Sequence, residues 1–169
     1  MTDGRTAICP GTYDPVTNGH LDIITRAANV FDHLVVGVVN QPTRKESTLF
    51  TAEERRDFID DAVSRNGLDN VRVEVFSILL VELAREHGAR AIVKGLRAIS
   101  DFEYEFEMAQ LNRVLAAEIE SIYIIASPNY SFLSSTGVKE MATFGGDVSE
   151  LVPAPVAAAL SERLAKGPR

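Results

Sequence analysis

The sequence is poor in residues that staple, span or coordinate. Of 169 residues one is a cysteine, Cys9, so neither an internal disulfide nor a multi-cysteine zinc site can form. Its free thiol suits a reducing compartment. There is no HExxH, and no cluster of His and Asp reads as a protein-built metal site. No apolar run approaches the roughly 18 residues of a membrane span. The amino-terminal "MTDGRTAIC" lacks the basic-then-apolar pattern of a secretory signal. The expectation is a cytoplasmic protein with no membrane partner. A basic excess is missing too: 17 Lys and Arg stand against 24 Asp and Glu, a net charge of −7. That argues against a general nucleic-acid-binding face, but not against a small anion held by a few local cations. The absence of GxxxxGK[ST] excludes a Walker-type NTPase, and without GxGxxG a dinucleotide site is unsupported.

What is present is the composition of a globular domain, 46% hydrophobic and 24% charged. One domain over 1–169 is expected, closed by a helix from about Pro155. Strand-length apolar runs ("TAIC", "LVVGVV", "VRVEVF", "AIV", "SIYIIA") alternate with helical patterns. Thr51 and Glu54 form a capping box ahead of "AEERRDFIDDAVSR". Asp101 opens a helix expected to reach Glu118. This alternation predicts an α/β fold, a Rossmann-like doubly wound five-stranded parallel sheet with flanking helices. Ligands of such sheets bind beyond the carboxyl ends of the strands. There the sequence places "PGTYDPVTNGH", "NQPTRKES", "KGLR" and "SPNYSFLSST".

Each of these segments has two readings. "TNGH" opens a helix whose unpaired N–H groups suit phosphate, with Gly11 and Gly19 allowing close approach. His20, in the first turn, either lies solvated on the surface or donates a ring N–H as a neutral imidazole. His33 and His87 follow helix ends and read as solvated. Arg44 and Lys45 are loop cations. Lys94 and Arg97 flank Gly95 in an arrangement that suits polyphosphate or is merely a solvated connection. Ser134, Ser135 and Thr136 cap a helix or face a phosphate.

Taken together, "GTYDPVTNGH", "VKGLRAISDFEYE" and "YSFLSSTGVKE" resemble the phosphopantetheine adenylyltransferases of bacterial coenzyme A biosynthesis. The similarity runs from about Thr6 to Leu164. It implies reversible transfer of the adenylyl group of ATP to 4'-phosphopantetheine, giving dephospho-coenzyme A and pyrophosphate. The displacement is in line, without a covalent enzyme intermediate, and Mg²⁺ travels with ATP. The resemblance makes His20 the transition-state stabiliser. It puts Thr12 between the two substrates and Tyr13, where the family more often has Phe, against the nucleotide. Lys94 then holds the acceptor phosphate and Leu80 its pantetheine arm. Gly95, Leu96, Arg97 and Glu105 serve ATP, joined by Tyr130, Ser131, Phe132, Leu133, Ser134, Ser135 and Thr136. Arg44 stands where the family usually has Lys, in a slightly longer loop, so either Arg44 or Lys45 serves the acceptor. Ile78 falls where small or acidic residues are common. Rival readings are adenylyl or cytidylyl transfer to another acceptor, or a nucleotide-binding module without turnover.

The resemblance also implies a homohexamer. The physical motive lies in the helix from Asp101. Phe102, Phe106 and Ala109 form one apolar flank; Tyr104, Met108, Leu111 and Leu115 form another. A helix apolar on two sides needs two partners, and the sheet supplies one.

Overall fold

In the computed structural model, residues 4–42 and 47–164 are described, except for the side chains at 99 and 100. Arg44 and Lys45 therefore lie outside the described residues. Five strands, β1 (Thr6–Gly11), β2 (His33–Val39), β3 (Val71–Phe76), β4 (Ala91–Leu96) and β5 (Glu120–Ile125), form one parallel sheet ordered β3-β2-β1-β4-β5. Helices α1 (Asn18–Ala28), α2 (Ala52–Arg65), α3 (Leu80–Glu86) and α4 (Ile99–Leu115) make the crossovers, and α5 (Ser135–Thr143) and α6 (Ala154–Leu164) complete the chain. The doubly wound sheet is as the alternation predicts.

Alternation along each strand sends side chains to two cores. Ala7, Cys9, Val36, Ala91 and Val93 meet Ile24, Ile59, Val138 and Leu160 on one face, while Ile8, Val35 and Ile92 meet Val81, Leu83 and Ile119 on the other. Burial pushes the Cys9 thiol up to about 11, and it packs in the core as a small apolar strand residue.

Strand order reverses between β1 and β4, and there the sheet opens. β1 stays paired with β2 through Gly11↔Val38, but with β4 only at Ala7↔Ala91 and Ile8↔Ile92. Beyond Ile8 the two strands splay, and Pro10 has no N–H with which to close the gap. The crevice lies at the topological switch point, where ligands of open α/β sheets bind.

Four boundaries in three elements differ from the sequence reading. β1 and β4 run further than the apolar runs suggest, so Gly11, Lys94, Gly95 and Leu96 are strand residues. Helix α4 begins earlier and ends earlier than Asp101 to Glu118. Asp101 sits inside its first turn and accepts the Arg97 N–H at 3.3 Å. At the other end Ala116 leaves helical geometry to bury in the second core.

Candidate active site

The segment leaving β1 is fixed from three directions. Asp14 is buried and accepts from the Leu49 N–H (3.0 Å), the Phe50 N–H (2.9 Å) and Lys139 Nζ (2.7 Å). Burial alone would raise its pKa; Lys139 and the two amides outweigh that and hold it below the usual carboxylate range. Ser135 Oγ donates to the Pro15 carbonyl at 2.8 Å. With Lys139 one helical turn on, α5 thus grips this turn through two contacts. Tyr13 has φ of 51°, which is unusual for a bulky residue. Its ring folds back over Gly11, where an added Cβ would lie 2.7 Å from it, and its hydroxyl donates to the Cys9 carbonyl at 3.0 Å.

Helix α1 then starts with a capping box in which histidine takes the usual glutamate position. Thr17 Oγ1 accepts from the His20 N–H (3.3 Å), and His20 Nδ1 accepts from the Thr17 N–H (3.0 Å). An accepting Nδ1 has no proton, which assigns the neutral tautomer with its N–H at Nε2. The imidazole packs edge-on against the Tyr13 ring, centroids 5.1 Å apart. Helix-start N–H groups are fewer than expected for a phosphate: Asn18 N donates to the Leu151 carbonyl and His20 N to Thr17. That leaves Gly19, among the described residues, as the first-turn donor without a partner.

On β4, Lys94 and Gly95 point to opposite faces. Gly95 faces α1, where an added Cβ would lie 2.9 Å from Ile23 Cγ1; the close approach here is that of a helix side chain. Lys94 faces α4, with Nζ 2.7 Å from Glu105 Oε2 and 5.9 Å from the Tyr104 ring centroid. The Glu105 oxygen is buried and makes no well-formed hydrogen bond, so the Lys94 contact is coulombic rather than directional. Arg97, past the strand end, turns the other way. It pairs with Asp101 (3.2 Å) and donates from Nη1 to the Leu133 carbonyl at 2.8 Å.

After β5, a single 3₁₀ turn (Pro128–Tyr130) leads to α5. Arg26 donates to the Ile125 carbonyl (2.8 Å), and Asp22 accepts from Ser127 Oγ (2.7 Å), tying this segment to α1. Ser134 Oγ accepts the Gly137 N–H as N-cap. The capping reading therefore holds for Ser134, and Ser135 is held by Pro15. Thr136, Ser131 and Phe132 are exposed, whereas Leu133 is buried. Two clefts, about 450 Å³ beside Glu54, Phe58 and Arg163 and about 370 Å³ beside His33, Asn70 and His87, share no residue with these segments.

Residues 8–141 match the family described as Cytidylyltransferase-like. A phosphopantetheine adenylyltransferase of Heliobacterium modesticaldum is 51% identical over 93% of this chain and 91% of its own. One of Rubrobacter xylanophilus is 55% identical over 87% of each. The chain belongs to the phosphopantetheine adenylyltransferase family. Its fold extends to a Plasmodium falciparum nicotinic acid mononucleotide adenylyltransferase, with TM-score 0.68, 14% identity and 94% and 95% of the two chains covered. As a phosphopantetheine adenylyltransferase-family chain it is a nucleotidyltransferase.

In this adenylyltransferase-family chain three predicted segments interlock around the crevice. Thr12–His20 meets Tyr130–Thr136 through Gly19 beside Tyr130 and Ser135 on Pro15, and Arg97 ties β4's end to Leu133. Leu80 stands apart from them, opening α3 and packing on the second core. The Tyr13 ring is buried, so its hydroxyl serves the fold and any nucleotide contact falls to the backbone. Asp14, Lys139 and Arg55 were not singled out in the sequence. Arg55 had a signal: Ala52, Arg55, Ile59 and Ala62 sit at core spacing on α2.

Proposed function

We propose that the chain transfers the adenylyl group of ATP reversibly to 4'-phosphopantetheine, releasing pyrophosphate and leaving dephospho-coenzyme A. An acceptor phosphate oxygen forms the new bond to the α-phosphorus as the bond to the bridging oxygen of pyrophosphate breaks, in line. The nucleophile belongs to the substrate, so the protein's part is positioning and charge stabilisation. The observation that carries this reading is the His20–Thr17 capping box. It holds a neutral imidazole, with its proton on Nε2, at a helix start beside the unpartnered Gly19 N–H. Charge developing on the α-phosphate meets those donors.

The remaining roles are those that the family resemblance implies. Lys94, on the α4 face, takes the acceptor phosphate. Arg97 takes the ATP phosphates, with Gly95, Leu96, Glu105 and the Tyr130–Thr136 segment around the nucleotide. Thr12 lies between the substrates, and Leu80 meets the pantetheine arm. The share of Arg44 falls outside the described residues. Among the described residues no three acidic, His or Cys side chains converge as a metal site. Asp14, Asp22 and Asp101 each hold a partner already. Mg²⁺ would enter as MgATP, held by phosphate oxygens and water.

Among the described residues no helix is long and apolar enough to cross a membrane. A homohexamer is supported by α4, where Phe102 and Phe106 stack at 5.8 Å while 51% and 53% exposed. Helix α6 packs on α5 and reaches α2 through Arg163 instead of covering them. Pyrophosphate release from ATP, measured with 4'-phosphopantetheine, nicotinamide mononucleotide and glycerol phosphate as acceptors, tests the function. Release with 4'-phosphopantetheine alone is expected; preference for another acceptor refutes it.

A further inference from the structure

Among the described residues Arg55 of α2 is the largest fully buried side chain, 1% exposed, and no carboxylate there is hydrogen-bonded to it. All its contacts are carbonyls. Nε donates to Phe50 and Thr51 (3.2 Å each), Nη1 to Thr12 (2.6 Å) and Val39 (2.9 Å), and Nη2 to Asn40 (3.2 Å). Burying a guanidinium is costly, and an apolar side chain of similar volume would serve packing as well or better. The carbonyls it gathers are those of residues at, or just past, the carboxyl ends of β1 and β2, and of the residues that lead into α2.

The Thr12 contact has a directional consequence. Arg55 also holds Val39 and Asn40, so it lies on the β2 side of β1. The Thr12 carbonyl points there. In a planar trans peptide the following N–H points the opposite way, so the Tyr13 N–H is aimed toward the gap between β1 and β4. Among the described residues nothing accepts from that N–H. The positive φ at Tyr13 goes with this turned peptide. An extended continuation of β1 would swing the carbonyl elsewhere.

We infer that Arg55 is a positioning residue for nucleotide binding: it pins the Thr12–Tyr13 peptide so that the Tyr13 N–H donates to a phosphate oxygen of the nucleotide in the crevice. Arg55 itself touches no substrate. The inference rests on reading the β1–β4 crevice as the ATP site, and it adds a backbone donor whose aim is set from beneath. It also explains the burial of the Tyr13 ring, since the family's nucleotide contact here then needs only the main chain.

The test compares wild type with R55K and R55M. Folding is followed by thermal melting, ATP binding by calorimetry without acceptor, and turnover with each substrate varied. Lysine keeps the charge but cannot span Thr12, Val39 and Asn40 together. Losing one hydrogen bond to a charged group should weaken ATP binding about tenfold or more in R55K, with kcat also reduced. KM for the acceptor should stay within about twofold, because that substrate makes no use of the Tyr13 N–H. In a further variant, R55A, added methylguanidinium should restore part of the ATP affinity and an apolar molecule of similar size should not, which a loss of packing alone would not produce. A cooperatively folded R55K that binds ATP and turns over like wild type, with only its melting temperature lowered, overturns the inference. R55M, if it folds, must show the same ATP defect; if it does not fold, R55K alone decides. Should wild type bind ATP but fail to adenylate 4'-phosphopantetheine, the acceptor assignment falls while the ATP titrations still judge Arg55.

Discussion

Lys94 and Glu105 face each other across the turn from β4 into α4, Nζ 2.7 Å from Oε2. Both were assigned from sequence to ligands, one to each substrate, yet they neutralise one another in the free protein. An acceptor phosphate must therefore share the Lys94 ammonium with a carboxylate already beside it. Lys94→Ala should raise KM for 4'-phosphopantetheine about 10–100-fold, more than KM for ATP, because it removes the cation and leaves Glu105 uncompensated. Adding Glu105→Gln to Lys94→Ala should recover part of that loss. Steady-state kinetics on the two single variants and the double variant measure the coupling, and strict additivity would show that the pair is not shared with substrate. Lys94→Arg should be mild, since it keeps the charge.

Arg97 should fail differently. Its guanidinium bridges Asp101 and the Leu133 carbonyl, which ties it to the segment proposed to hold ATP. Arg97→Ala should raise KM for ATP by about tenfold or more while leaving the acceptor's KM nearly unchanged. Equal effects of Arg97→Ala and Lys94→Ala on both KM values would mean that the two cations act as one patch.

His20→Ala should lower kcat by about 10²–10³, the usual cost of one donor to developing charge. It should also lower stability slightly, because Nδ1 completes the cap of α1. Thr17 separates these effects. Thr17→Ala loses the side-chain half of the cap, about 0.5–2 kcal/mol, together with the 3.0 Å contact of Oγ1 with Nδ1, while the main-chain N–H still holds the ring, so kcat should fall, but less than in His20→Ala. Thr17→Ser should restore both. A Thr17→Ala enzyme that is less stable but turns over normally would mean that the cap does not orient His20.

Asp14 sets a pH dependence. Its carboxyl is held below the usual range in the folded protein, so it contributes stability above its unfolded pKa of about 3.9. That contribution disappears as pH falls through the lower, folded value. Asp14→Asn should therefore destabilise by about 1–3 kcal/mol near neutrality. The difference from wild type should narrow as the pH drops below about 4. Denaturant melts across pH measure this; a gap that widens in acid would contradict the assignment.

The periodic signals were legible in the sequence because they are local. The Thr51–Glu54 box, the alternation in β3 and the strand–helix order all follow from neighbours a few residues apart. The three site segments were legible as motifs, but not the partners that hold them. Nothing near Asp14 announces that Lys139 will reach it, and Arg55 hides inside the charged run "EERR". The helix-start donors were overcounted because the Leu151 carbonyl that takes Asn18 lies at the far end of the sequence. That Ile23 packs against Gly95 was not legible because Ile23 belongs to another element. In each case the missing information was which distant side chain comes to rest there.

The long span of those contacts bears on how the chain assembles during synthesis. The turn Asp14–Asn18 is synthesised soon before its Leu49 and Phe50 holders but long before three others. Ser135 binds Pro15 across 120 positions, Lys139 binds Asp14 across 125, and Asn18 reaches the Glu150 carbonyl across 132. Glu54, which caps α2, meets Arg163 across 109. A nascent chain halted before Ser135 has β1 to β5 in hand but none of these clasps. The Asp14–Asn18 turn is therefore made early in the crevice and fully clasped late, so nucleotide should protect chains that carry α5 and α6 from protease but not such arrested ones.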